Sequence, residues 1–173
     1  PVYKEKMMIY PDLHKFLDKY QHLLIDDSCL GYFFHLYIDR RFFKDYIPEV
    51  VEFYDSAGEI TDIKSEVAKV LVRKTGVWIP GNEYLTEKYY YGDYTRMNTY
   101  LAQRFHLVFD LNPEVKNPGI EEADYPAVKE VLTSLKGYMN VPASAVNNLT
   151  VFDVEDLIRF LKKVVRDFIT FYC

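Results

Sequence analysis

The clearest pattern of hydrophobic and polar positions lies near the end of the chain, over residues 150–172. Apolar residues recur there at the three- and four-residue spacing that puts them on one face of an α-helix. They are Val154, Leu157, Ile158, Leu161, Val164, Val165, Phe168 and Phe171. The other face is charged, with acids early and bases later, as the helix dipole favours. Thr150 or Asp153 can cap the first turn. The pattern predicts a long amphipathic helix that forms a major part of the core, or a stripe that docks a partner if its apolar face is uncovered.

The same spacing predicts most of the other elements. We expect helices over residues 11–24, 28–47, 49–57, 62–74, 83–106 and 126–137. Gly92 interrupts the fourth long pattern and predicts a break between 84–91 and 93–104. The short apolar run 77–82 ends in turn residues, so we expect it to be extended, with Trp78 anchoring it to the core.

These elements predict a mostly α fold, a single-domain bundle of about six helices with at most a minor short strand element. The chain has 173 residues and is 49% hydrophobic and 27% charged, which is typical of a globular protein and not of a disordered one. We therefore expect one helical domain over 1–173. Residues 112–124 contain two prolines, a glycine and several acids, and they form a weak candidate for an internal boundary.

Charge and composition narrow the class of partner. The formal net charge is −5, which argues against binding nucleic acid by neutralising its phosphates. The chain contains no run of eighteen apolar residues, the minimum for a membrane-spanning helix. The chain has two cysteines, Cys29 and Cys173, and this low number suits a reducing compartment. We therefore expect a cytoplasmic protein without a membrane span.

The most unusual local composition is a tyrosine-rich stretch. Tyr89, Tyr90, Tyr91 and Tyr94 lie close together, and Arg96 follows them. Tyrosine provides a large amphipathic contact area at a low cost in conformational entropy, so such stretches are common in binding surfaces. Consecutive tyrosines on a helix also spread around its circumference, which would place some of them in the core. We interpret these five residues as the best candidate for a binding site.

A second candidate site is catalytic in character. His35 and Asp39 are four residues apart, which places both on one face of a helix. A carboxylate beside an imidazole orients the ring and can prepare it for general-base work. Arg40 follows and could hold an anion. The simpler interpretation is a pair of residues on the surface of a helix.

No sequence motif identifies a reaction. The chain lacks nucleotide-binding glycine loops and clusters of cysteine and histidine, so we expect no cofactor and no metal. The leading hypothesis is a non-catalytic protein–protein interaction or regulatory module, of the immunity, inhibitor or viral accessory type, with a protein partner or self-association. The alternative is a helical small-molecule-binding protein or enzyme that uses His35, Asp39 and Arg40.

Overall fold

The computed structural model of the chain describes residues 4–108, 116–134, 137 and 139–172. The described helices are α1 (Leu13–Tyr20), α2 (Asp27–Arg41), α3 (Ile47–Val50), α4 (Gly81–Tyr84), α5 (Tyr90–Phe105), α6 (Tyr125–Ser134) and α7 (Val154–Tyr172). Three short strands, β1 (Val51–Tyr54), β2 (Lys69–Val72) and β3 (Val77–Pro80), form one antiparallel sheet in the order β1-β2-β3. The predicted fold, mostly α-helical with a minor strand element, is confirmed.

Helix α7 contributes to both hydrophobic clusters of the protein, as its long apolar stripe predicts. Leu157 belongs to the first cluster and Val164 and Phe168 belong to the second. Phe160 packs against both. Asp153 caps the helix, because its carboxylate accepts a hydrogen bond from the backbone N–H of Asp156 at 2.9 Å.

The first cluster lies between the sheet, α5 and the start of α7. The inward side chains of the strands alternate with outward ones, as the pleat requires. Those inward side chains are Val51, Phe53, Val70, Val72 and Ile79. The pairs Val51–Val72 and Phe53–Val70 lie opposite each other across β1 and β2. The sheet therefore covers one side of a core that the helices complete.

The largest side chains of the second cluster all come from helices. Phe16 of α1 stacks on Phe33 of α2 with ring centroids 5.4 Å apart. Phe33 and Tyr37 of α2 in turn contact Phe168 of α7, with centroids 5.8 and 5.3 Å apart. Phe33 is fully buried. Aromatic area thus holds α1, α2 and the second half of α7 together.

Two predicted helices are wrong, because their residues form the sheet. Residues 49–57 contain β1, and residues 62–74 contain β2 together with a 3₁₀ turn at Lys64–Glu66. Both segments are short and rich in β-branched or aromatic residues, which suit a half-buried pleated surface. Helical and strand periods are hard to distinguish over so few positions. Packing against α5 and α7 decides between them.

Two further expectations need correction in the region after the sheet. The chain is not helical between Leu85 and Tyr89, so the break comes before Tyr90 and not at Gly92, and α5 runs through Gly92. The expected extended segment is present as β3, but Trp78 is 48% exposed and does not anchor it to the core. Trp78 instead lies on the outer face of the sheet against Tyr54, with ring centroids 5.1 Å apart.

A π-helical segment, Phe42–Tyr46, connects α2 to α3. Pro48 follows within the first turn of α3. Proline has no N–H to donate, and its ring clashes with the carbonyl four residues earlier, so a tight α-helical turn is disfavoured here. The widened turn directs Phe42 and Tyr46 into the first cluster.

The predicted boundary loop, 112–124, lies partly outside the described residues. Its described part, 116–124, packs into the second cluster through Ile120, which is fully buried. Asn117 fixes the turn, since its side-chain oxygen accepts hydrogen bonds from the backbone N–H groups of Gly119 and Ile120, both at 2.8 Å. No helix within the described residues combines the length and apolar character needed to cross a bilayer.

Candidate functional site

The tyrosine-rich stretch is divided by the start of α5 into buried and exposed members. Tyr90 is 6% exposed, whereas Tyr91 is 50% and Tyr94 is 38% exposed. The hydroxyl oxygens of Tyr90 and Tyr94 lie 2.9 Å apart and share a hydrogen bond. Burial raises the pKa of Tyr90 and raises that of Tyr94 to about 12, so both hydroxyls stay protonated at neutral pH. Tyr89 is partly buried, with the ammonium group of Lys88 over its ring.

The two exposed tyrosines, Tyr91 and Tyr94, form one wall of an open groove of about 530 Å³, which we call the tyrosine groove. The other wall is the N-terminal arm, residues 4–10, which contributes Met7 and Ile9. Ile9 is 60% exposed. Phe43 also lines the groove. The groove therefore presents aromatic and aliphatic surface to solvent, and Glu5, Lys6 and Lys64 also line it.

The N-terminal arm is held against the loop before β2 by backbone and side-chain bonds. The N–H of Met7 donates to the carbonyl of Asp62 at 2.7 Å, and Lys64 N–H donates to the carbonyl of Glu5 at 2.9 Å. Lys6 lies between these two bonds, opposite Ile63 in an antiparallel bridge. In that geometry the backbone groups of Lys6 point away from the loop. They have no backbone partner within the described residues, which leaves one edge of the arm open beside the groove.

Asp93, the next residue after Gly92, turns inward and fixes the position of α7. Its carboxylate is fully buried. It accepts hydrogen bonds from the backbone N–H groups of Thr150, Val151 and Phe152, at 2.9, 2.7 and 3.1 Å. Arg96, one turn later on α5, donates to the same carboxylate at 2.8 Å. We call this set of contacts the Asp93 anchor.

The Asp93 anchor changes the interpretation of two predicted features. The guanidinium of Arg96 donates hydrogen bonds to Asp93 and, at 3.4 Å, to the carbonyl of Glu87. Arg96, a predicted binding residue, therefore forms hydrogen bonds within the protein. Gly92 allows the backbone to pass close to Glu87, because a Cβ atom on Gly92 would lie 1.9 Å from that carbonyl oxygen. Asp93 itself was not among the predicted site residues. Its backbone partners, Thr150, Val151 and Phe152, are more than fifty residues away, and no local pattern reveals them.

The second predicted site lies on the surface of α2. The Nε2 atom of His35 is 3.4 Å from Oδ2 of Asp39, and the His35 side chain is 65% exposed. Arg40 turns elsewhere and donates to the backbone carbonyl of Pro11 at 2.9 Å. Burial raises the pKa of the Asp39 carboxyl, and His35 partly offsets that rise. The Asp39 carboxylate contributes to the raised pKa of Tyr90, after burial and the neighbouring tyrosines, so the two predicted sites are neighbours in space.

A larger cleft, of about 1000 Å³, lies on another side of the first cluster. It is formed by the π-helical segment, the turn after β2, the residues before α7 and the first turns of α7. We call it the α7 cleft. No sequence pattern indicated it, because its walls come from segments that are distant along the chain.

The outer end of α7 leaves apolar side chains uncovered by described residues. Ile169 is 57% and Phe171 is 74% exposed. Val165 and Tyr172 are each more than one third exposed. The apolar stripe is thus covered along most of α7 and uncovered near its end.

Comparisons of this chain with protein-family models, with curated proteins and with solved structures found no match. Among the described residues, no group of three or more His, Cys, Asp or Glu side chains is arranged to hold a metal ion.

Proposed function

We propose that this protein is a non-catalytic protein-binding or regulatory module, of the immunity, inhibitor or viral accessory type, and that the tyrosine groove contacts its protein partner. The observation that carries the proposal is the exposure of Tyr91, Tyr94 and Ile9 on two facing walls. Exposed aromatic residues next to aliphatic ones are typical of the anchor positions that dominate binding energy.

The shape of the groove suits a protein segment better than a compact ligand. The groove is open to solvent, whereas small-molecule sites enclose most of their ligand. The open edge of the arm at Lys6 also offers a backbone N–H and C=O to an incoming strand. Peptides that add a strand to such an edge gain affinity from main-chain hydrogen bonds and specificity from side-chain contacts.

The alternative, an enzyme that uses His35, Asp39 and Arg40, has less support. General-base catalysis requires a substrate pocket around the imidazole. His35 is mostly exposed and lines neither the tyrosine groove nor the α7 cleft. Arg40 is bound to Pro11 and does not complete an anion site with them.

The proposal is tested by replacing the most exposed wall residues and measuring capture of a partner from the source of the protein. We expect Tyr91→Ala combined with Ile9→Ala to weaken binding by at least about tenfold, because truncation of an aromatic anchor often costs about 2 kcal/mol. The thermal midpoint should change little, since both side chains are at least half exposed.

Trp78→Ala is the matched control, because Trp78 is 48% exposed but lies on the outer face of the sheet. This variant should retain the partner. Light scattering of the purified chain tests self-association in parallel. A monomer that captures no partner would contradict the proposed function, and equal capture by all variants would contradict the assignment of the groove.

A further inference from the structure

The α7 cleft has an apolar wall that the described side chains leave partly uncovered. Val50, Val146, Leu149, Val154 and Phe160 line it, and all five are only partly buried. A cleft of about 1000 Å³ is at the upper end of the range for small-molecule sites. Phe160 and Tyr46 stack in this wall, with ring centroids 4.7 Å apart. The wall therefore suits a flat apolar body.

The rim of the cleft carries four basic and four acidic side chains, most of which pair with each other. Lys74 binds both Asp153 and Asp156, at 2.7 Å each. Arg159 also binds Asp156. Lys163, one turn after Arg159 on the same face of α7, forms no ion pair with any described residue. One cation at the rim is thus unneutralised, and a second shares an acid that already has another partner.

The cleft also contains a hydroxyl group without a hydrogen-bond partner. Tyr46 is 4% exposed, and its hydroxyl oxygen has no partner among the described residues. Leaving a buried polar group unpaired is costly, so each such group calls for an explanation. Burial raises the pKa of this hydroxyl, and nearby Asp153 and Arg159 also influence it. It therefore remains a proton donor, and the charged groups that act on it are Asp153, Arg159 and Glu49.

We propose that the α7 cleft binds a small aromatic carboxylate. The ring lies against Phe160 and its aliphatic neighbours, and the carboxylate lies between Lys163 and Arg159, with Tyr46 donating a hydrogen bond to it. Arg159 can turn to the ligand without leaving Asp156 unpaired, because Lys74 still holds that acid. The Arg159 side chain is 69% exposed, so it is free to move. This site is separate from the tyrosine groove and does not depend on the proposed function.

The competing feature of the rim is Glu49, an exposed acid that also forms no ion pair with a described residue. It would favour a cationic ligand. Among the described residues, the unpaired charges of the rim are one cation, Lys163, and one acid, Glu49. The carboxylate is favoured because Arg159 and the Tyr46 hydroxyl can both donate hydrogen bonds to it. The sign of the charge on the preferred ligand is therefore the decisive observable.

The test uses the full chain and three probes of one size: 1-naphthoate, 1-naphthylmethylamine and 1-naphthalenemethanol. Binding is followed by calorimetry and by NMR shifts of backbone amides. We expect 1-naphthoate to bind at least about tenfold more tightly than the other two, because charge-assisted hydrogen bonds are stronger than neutral ones. The shifts should concentrate at Val154 and Phe160. Equal binding of the three probes, preference for the amine, or no binding of any probe would overturn the proposal.

Two substitutions locate the site. Lys163→Gln should weaken 1-naphthoate binding by about tenfold, whereas Lys162→Gln, an exposed neighbour that does not line the cleft, should leave it unchanged. Tyr46→Phe should weaken binding by a few fold without lowering the thermal midpoint of the free protein, because it removes an unpaired hydroxyl. If Lys163→Gln binds 1-naphthoate as tightly as the unaltered chain, the assignment of the carboxylate is wrong.

Discussion

The inner and outer faces of the first turns of α5 are made of neighbouring residues with opposite roles. Gly92 and Asp93 face inward, where they fix the approach of the chain before α7. Tyr91 and Tyr94 face outward and line an open groove. One short stretch therefore contains the residues that fix the packing of α5 next to the residues that we propose contact a partner.

The comparison teaches that unusual local composition does not by itself indicate function. The tyrosines attract attention in the sequence, yet Tyr90 and the adjacent Gly92 and Asp93 serve the core. Rigid placement of the inner face also benefits the outer one, since exposed aromatic anchors bind better when they are held in place before the partner arrives. We therefore expect substitutions on the two faces to separate stability from binding.

The largest effect should come from Asp93→Ala. This change removes the acceptor of three backbone N–H groups and the partner of Arg96. Breaking a buried ion pair by removing one partner costs roughly 3–5 kcal/mol. Urea unfolding should show that the free energy of unfolding falls by this amount.

Asp18→Ala is the control, since Asp18 is exposed and forms no ion pair with a described residue. It should change stability by less than about 0.5 kcal/mol. Similar losses for the two variants would contradict the role of the Asp93 anchor.

Gly92→Ala should have the next largest effect. The added methyl group would lie 1.9 Å from the carbonyl oxygen of Glu87, so the backbone must move. Overpacking of this kind costs roughly 1–3 kcal/mol. The matched change is Gly31→Ala in α2, where nothing lies within 4 Å of the new atom.

Gly31→Ala should stabilise the protein by roughly 0.5–1 kcal/mol, because alanine is the better helix former. Urea midpoints of the two variants should therefore move in opposite directions. A shift of the same sign in both would mean that the close approach at Gly92 does not constrain α5.

The sequence predicted the parts of the fold that have long and regular patterns. The amphipathic stripe of 150–172 predicted α7, and the capping role of Asp153 was one of two options that it left open. Strands β1 and β2 were missed because four residues carry too little periodicity to distinguish them from helices. The partners of Asp93 and the walls of the α7 cleft are brought together only by tertiary packing. Gly92 was noticed, but as a break, because the nearby carbonyl of Glu87 cannot be inferred from sequence.

The smallest effect concerns an exposed carboxylate, which contrasts with the buried one of Asp93. Glu122 accepts hydrogen bonds from Lys19, at 2.8 Å, and from the hydroxyl of Tyr20. These two contacts lower the pKa of the Glu122 carboxyl from 4.5 to about 2. Because the unfolded chain has the higher pKa, it binds more protons between these values, and folding becomes less favourable as the pH falls. The contribution of Glu122 is thus complete above about pH 4.5 and lost towards pH 2.

Glu122→Gln should therefore reduce stability slightly at neutral pH and should converge with the unaltered chain as the pH approaches 2. Urea midpoints measured between pH 2 and 7 would show this convergence. Glu130→Gln is the control, because Glu130 is exposed and forms no ion pair with a described residue, and its curve should run parallel to that of the unaltered chain. The effect should be far smaller than that of Asp93→Ala, because water solvates Glu122 well and competes with both of its partners. If Glu122→Gln lowered the free energy of unfolding as much as Asp93→Ala does, burial would not explain the difference between the two carboxylates.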